Sequence, residues 1–285
     1  MSGKRVVVGL LLAAALALGL VATVAAQDED APSVTVVDQA IVNGQVTIPV
    51  VRSPGMGWLV IHADADGRPG PILGYSQVMA GDNADVLVVI DATQATDTLY
   101  AMLHTDAGEE GTFEFPGGPD TPVSVEGEVV SPPFAVTAGV GVADQPIEDG
   151  AVTIARVFSE GPGWLVIHAD ADGGPGPILG FSPVEPGRND DVLVEIDVEG
   201  ATETLYAMLH VDAGEEGTFE FPGGADGPVI AEGMVITPPF TVTGGLEPVL
   251  PETGGAYIVW LALALVGLAA VLVLVGLRAR RQSIR

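Results

Sequence analysis

Four histidines fall into matched pairs, His62 with His168 and His104 with His210. Each closes an apolar run of strand length. Each is followed two residues on by an aspartate: Asp64, Asp106, Asp170 and Asp212. His62-Ala63-Asp64-Ala65-Asp66-Gly67 has the 1-3-5-6 spacing of a calcium loop, with histidine at the first ligand position, and His168, Asp170, Asp172 and Gly173 repeat it. The twelfth position, where an EF-hand carries a bidentate glutamate, is Leu73, so the loop is not an EF-hand. Oxygen ligands still suit calcium. Asp64, Asp66, Asp106, Glu109 and Glu110 would form a calcium site if the two strand ends meet at one end of a sandwich. His62, His104 and Met102 offer instead the softer set that copper or zinc prefers. The same residues also have a purely structural use, in which they bond strand-end backbone and hold turns.

Catalysis is poorly served. The chain has no cysteine, so thiolate nucleophiles, thiolate metal sites and disulfides are all excluded. Ser76 and Ser182 stand in Gly-Tyr-Ser and Gly-Phe-Ser, without the Gly-x-Ser-x-Gly turn that presents a nucleophile. Asp and Glu number 38 against 10 Lys and Arg, so paired carboxylates arise from composition alone. Between Asp28 and Glu252 all 38 acids face only Arg52, Arg68, Arg156 and Arg188, a net −34. A surface that acidic repels phosphate backbones and excludes nucleic acid as a partner. Lysine is absent after Lys4, which leaves no ε-amine for isopeptide cross-links. The expectation is a protein that is not an enzyme and has no cofactor, unless the acidic loops take calcium.

The elements that must position these residues are written twice. Val34–Thr137 recurs in Val140–Thr243 with a constant offset of 106 and no gap: Asp38-Gln39 answers Asp144-Gln145, and Trp58–Gly67 answers Trp164–Gly173. Units of about 100 residues bury their own cores, so these are tandem domains rather than solenoid turns. Trp58–Ala63 and Thr98–His104 are short apolar runs, and Val86–Ile90 is β-branched. Turn clusters such as Asp66–Pro71, Ala80–Asn83 and Pro116–Gly118 separate them. The pattern predicts an all-β chain of two immunoglobulin-like, Greek-key β-sandwich repeats, 27–137 and 138–243. The join is too short for a linker, so the two should abut. The copies diverge most at Val50–Met56 against Arg156–Pro162 and at Gln77–Asp82 against Pro183–Arg188, which marks those segments as candidate contact surfaces.

Both ends read as membrane signals. Residues 1–26 have a basic start (Lys4, Arg5), an apolar stretch and small residues at Val24-Ala25-Ala26, the pattern of a cleaved signal peptide. Residues 256–277 carry no charge, and at 1.5 Å per residue they would span about 33 Å as a helix, enough for a bilayer core. Arg278, Arg280, Arg281 and Arg285 make residues 278–285 a basic tail that stays cytoplasmic, with everything upstream outside. Ahead of the helix, after the spacer 244–249, stand Leu250, Pro251, Glu252, Thr253 and Gly254. Motif, apolar segment and basic tail in that order resemble the sorting signal of LPXTG-type, sortase-anchored surface proteins. In that family a sortase thiolate attacks the threonine carbonyl, cuts the Thr–Gly bond and passes the acyl group to an envelope amine. The resemblance implies that this chain is a sortase substrate, cut between Thr253 and Gly254.

The repeats themselves resemble an uncharacterised extracellular domain of prokaryotic surface proteins, often found in tandem. Asp38-Gln39, Val60-Ile61-His62, Leu73-Gly74-Tyr75-Ser76 and Leu99–His104 with Asp106 carry the likeness. It implies a β-sandwich and surface display, and no activity. The expected function is a surface-displayed, membrane- or wall-anchored binding or structural envelope protein. Its partners would be the sortase, the membrane through residues 256–277, and an extracellular ligand or envelope component.

Overall fold

The computed structural model describes residues 30–244. The signal segment, the motif at 250–254, the apolar segment 256–277 and the basic tail lie outside the described residues. Among the described residues no helix is long and apolar enough to cross a membrane.

The described residues are all-β, in two tandem domains. The first contains β1 (Ser33–Thr35), β2 (Gln39–Ile41), β3 (Gln45–Ser53), β4 (Gly57–Asp64), β5 (Pro69–Val78), β6 (Gly81–Val89), β7 (Thr98–Thr105), the hairpin β8 (Ser124–Val125) and β9 (Glu128–Val129), and β10 (Pro133–Gly141). The second continues with β11 (Ala151–Ser159), β12 (Gly163–Ala171), β13 (Gly174–Val184), β14 (Gly187–Glu195), β15 (Thr204–Val211), the hairpin β16 (Ile230–Ala231) and β17 (Met234–Val235), and β18 (Pro239–Thr241). In the first repeat a sheet β1-β3-β6 faces a sheet β5-β4-β7-β10. Val46, Ile48, Val51 and Val88 from one side meet Leu59, Ile61, Leu99 and Leu103 from the other in a single core. The second repeat builds the equivalent core from Val152, Ile154, Val157, Leu165, Ile167, Leu205 and Leu209.

The repeats do more than abut: they share a strand. β10 pairs with β7 through Pro133–Ala135 and, past a register shift between Val136 and Gly139, with β11 through Gly139–Gly141. It is the last strand of one repeat and the first of the next. Pro133 is its first residue, where a missing N–H breaks no ladder bond. Beside it, β2 runs parallel, with Val136 opposite Gln39.

The join explains where the copies diverge. Inward positions of β11 run Val152, Ile154, then Val157, a change of parity that turns Phe158 away from its own core. Phe158 is 2% exposed and packs into the core of the first repeat. Its copy is Arg52, which reaches Asp82 at 2.6 Å on an open surface. Ala40 and Val42 pack reciprocally into the second core, while their copies are Pro146 and Glu148. Arg156, replacing Val50, donates to the carbonyl of Thr93 at 3.1 Å. Asn43 accepts from the Thr237 amide at 2.8 Å and donates to the Val235 carbonyl. Gly141, where the first repeat has Thr35, comes so close that a Cβ would meet the Ala92 oxygen at 2.4 Å. The segments singled out as candidate ligand surfaces include the contact of one repeat with the other.

Candidate functional site

β4 and β7 position the histidines. Alternate residues of the two strands face opposite ways. Leu59, Ile61, Leu99 and Leu103 enter the sandwich core. Trp58, Val60 and His62 face outward beside their partners His104, Met102 and Tyr100. That outer face is not in water. Trp58, His62, Met102 and His104 are all buried. The segment between β7 and β8 folds over it and brings Phe113 to 5.5 Å from Trp58 and Phe115 to 4.7 Å from His104, between ring centres. Gly57 permits the close pairing, because a Cβ there would stand 2.3 Å from the His104 carbonyl oxygen.

The antiparallel register separates the carboxylates. His62 stands opposite Tyr100, and Gly57 opposite Thr105. Asp64 and Asp66 therefore lie at one end of the β4–β7 pair, with Asp106, Glu109 and Glu110 beyond the other end. The calcium site that required these ends to converge does not form, in either repeat, and the same holds for Asp170, Asp172 and Asp212. Among the described residues no three His, Asp or Glu side chains gather as a metal site.

Each aspartate has another use. Asp66 and Gly67 have φ of 56° and 78°, and Ala65 and Arg68 exchange backbone bonds of 2.8 and 3.2 Å across them. This is an Asp-Gly hairpin turn. Asp64 accepts from the Gly67 amide at 3.1 Å and from the Tyr100 hydroxyl at 3.0 Å. Burial, then that bond to a carboxylate, raises the Tyr100 phenol above its ordinary pKa. Asp106 accepts from the Gly111 amide at 2.9 Å. Asp38 accepts from Ala135 at 2.8 Å and so ties β10 down. Gln39 clamps Thr47 from both sides, at 2.8 and 3.1 Å.

The histidines, in contrast, do come together. The rings of His62 and His104 are 6.2 Å apart, with planes 14° from parallel. His62 Nδ1 bonds the Gly70 carbonyl at 2.8 Å, and His104 Nδ1 the Asp120 carbonyl at 3.3 Å. Burial lowers the pKa of both, only partly offset by those carbonyls. His168 and His210 repeat the arrangement at 6.1 Å, with their pKa values lowered for the same reason.

Residues 32–137 and 138–243 each match the family described as Domain of unknown function (DUF7282). The chain belongs to the DUF7282 family. A comparison with curated proteins finds no match. In both DUF7282 copies the structure also shows a residue that the sequence reading passed over. Asp120 is fully buried, and its two oxygens accept from the amides of Ala107 and Glu114, each at 2.7 Å. Its own carbonyl faces His104. Asp226 does the same for Ala213 and Glu220 at 2.8 Å. The available signal was that the aspartate persists while its neighbours change, Pro119 and Thr121 becoming Ala225 and Gly227.

Proposed function

We propose that this chain is a surface-displayed envelope module without catalytic activity, exported by residues 1–26 and attached through Leu250–Gly254, with each repeat an immunoglobulin-like, Greek-key sandwich. The observation that carries this reading is the use each repeat makes of its distinctive polar residues. Asp38, Gln39, Asp64, Asp106 and Asp120 all bond backbone groups, which is the chemistry of a scaffold. The strand shared by the repeats supports it too, because it belongs to the sheets of both. The acidic exterior supplies hydration and solubility.

A ligand-binding role would have to use surfaces that both copies still expose. The hairpin tips qualify: Ala65–Pro71 and Ala171–Pro177 differ only at Arg68 and Gly174. Both copies would then take the same ligand. The test of the display reading is fractionation of cells that carry the cognate sortase. Wild-type protein should enter the covalently bound envelope fraction, and Thr253→Ala should remain detergent-extractable. If both variants extract alike, covalent sorting is wrong and a plain membrane anchor replaces it.

A further inference from the structure

The histidine pairs are buried reactive groups that the display role leaves unused. His62 and His104 pair with positions four residues apart along their strands, about 13 Å at 3.3 Å per residue. Their ring centres are nevertheless only 6.2 Å apart, so the rings lean toward each other over the Val60–Met102 pair. Each Nδ1 points at a carbonyl oxygen. A carbonyl can only accept, so Nδ1 carries the proton and Nε2 the lone pair. His62 is 4% exposed and His104 0%. Both Nε2 atoms are buried and meet no hydrogen-bond partner in the protein. The second repeat has the same features: Nδ1 of His168 and of His210 on the Gly176 and Asp226 carbonyls, both Nε2 atoms unpartnered, and Met208 opposite Val166.

Imidazoles whose Nδ1–H is held by a backbone carbonyl are oriented as metal ligands are. A metal about 2.0 Å from each of two facing ring nitrogens holds the ring centres roughly 6 Å apart, which is the separation found. The nearby donors then choose the metal. Zinc and calcium want more and harder ligands than two imidazoles and a thioether. Asp64 is engaged by Gly67 and Tyr100, Asp120 by two amides, and one oxygen of Asp106 by the Gly111 amide. Low coordination, imidazole and thioether suit Cu(I). We propose that each repeat binds one Cu(I) ion between His62 Nε2 and His104 Nε2, flanked by Met102, and likewise between His168 and His210 beside Met208. Phe113 and Phe115 pack on His104, and their copies Phe219 and Phe221 on His210. This site rests on residues the display reading does not use, so either can fail alone.

The test titrates the purified full chain with Cu(I), anaerobically, against a chromophoric Cu(I) chelator. The chain should take two Cu(I). His62→Leu and His168→Leu should each remove one, and Asp64→Asn with Asp66→Asn should leave both. Because a histidine variant can lose its fold with its Nδ1 bond, Met102→Leu with Met208→Leu is the second arm. That exchange conserves volume, and it should weaken Cu(I) retention at least tenfold while far-ultraviolet circular dichroism stays unchanged. The proposal is overturned if wild type takes fewer than one Cu(I), if the folded methionine variant retains Cu(I) as tightly as wild type, or if Zn(II) displaces Cu(I) at equal concentration.

Discussion

Phe158 should couple the two repeats, and its removal should uncouple them. The residue belongs to a strand of the second repeat, yet it is 2% exposed and packs in the core of the first. Truncating a buried phenylalanine costs about 3–5 kcal/mol, through lost transfer energy and the cavity left behind. Here the side chain comes from the second repeat while the cavity opens in the core of the first, so the loss is felt by both. The assay is urea unfolding of the full chain, followed by tryptophan fluorescence, with Trp58 and Trp164 reporting one repeat each and Trp260 common to every variant. Wild type should unfold in a single transition. Phe158→Ala should lower the midpoint by an amount equivalent to about 3–5 kcal/mol, or split the curve in two. Phe158→Arg, which installs the residue found at the equivalent position 52, should do at least as much, because it buries a charge in an apolar core. A Phe158→Ala midpoint within about 1 kcal/mol of wild type, with one transition, would refute the coupling.

Two further outcomes follow from the buried polar groups. Asp120→Ala leaves the amides of Ala107 and Glu114 without their acceptor, at about 1–3 kcal/mol each; it should lower stability and expose residues 106–122 to proteolysis, and an unchanged digestion pattern would count against the clamp. The pH dependence has a definite sign. Burial holds all four histidines below the ordinary 6.5, so the unfolded chain binds protons first, and stability is full above about pH 6.5 and falls as the pH drops below it. Each histidine contributes at most about 1.4 kcal/mol per pH unit. The urea midpoint should decline over that window, and a flat profile would show that the imidazoles are not held neutral.

Much of the fold was legible, and the limits have physical causes. Trp58–Ala63 and Thr98–His104 read as strands because apolar runs of that length suit a sheet covered on both faces, and both strands are there. The pairing of the histidines was visible because the repeat copies them. Strand direction was not, since side-chain pattern is the same whichever way a neighbour runs. The carboxylates were therefore expected to converge, whereas antiparallel β4 and β7 send Asp64 and Asp106 to opposite ends. Asp120 escaped notice because an aspartate among prolines and glycines reads as an ordinary turn residue. Divergence at Arg156 and Phe158 looked like a change of ligand. It reflects instead the contact that Arg156 and Phe158 make with the first repeat.

Display on the cell surface, as proposed, requires cleavage at Thr253. The most direct measurement is the mass of the mature polypeptide recovered from the envelope after enzymatic release. The prediction is a chain that begins at Gln27 and ends at Thr253, carrying a residual envelope fragment on its carboxyl group. A recovered chain that still contains residues 254–285 would contradict it.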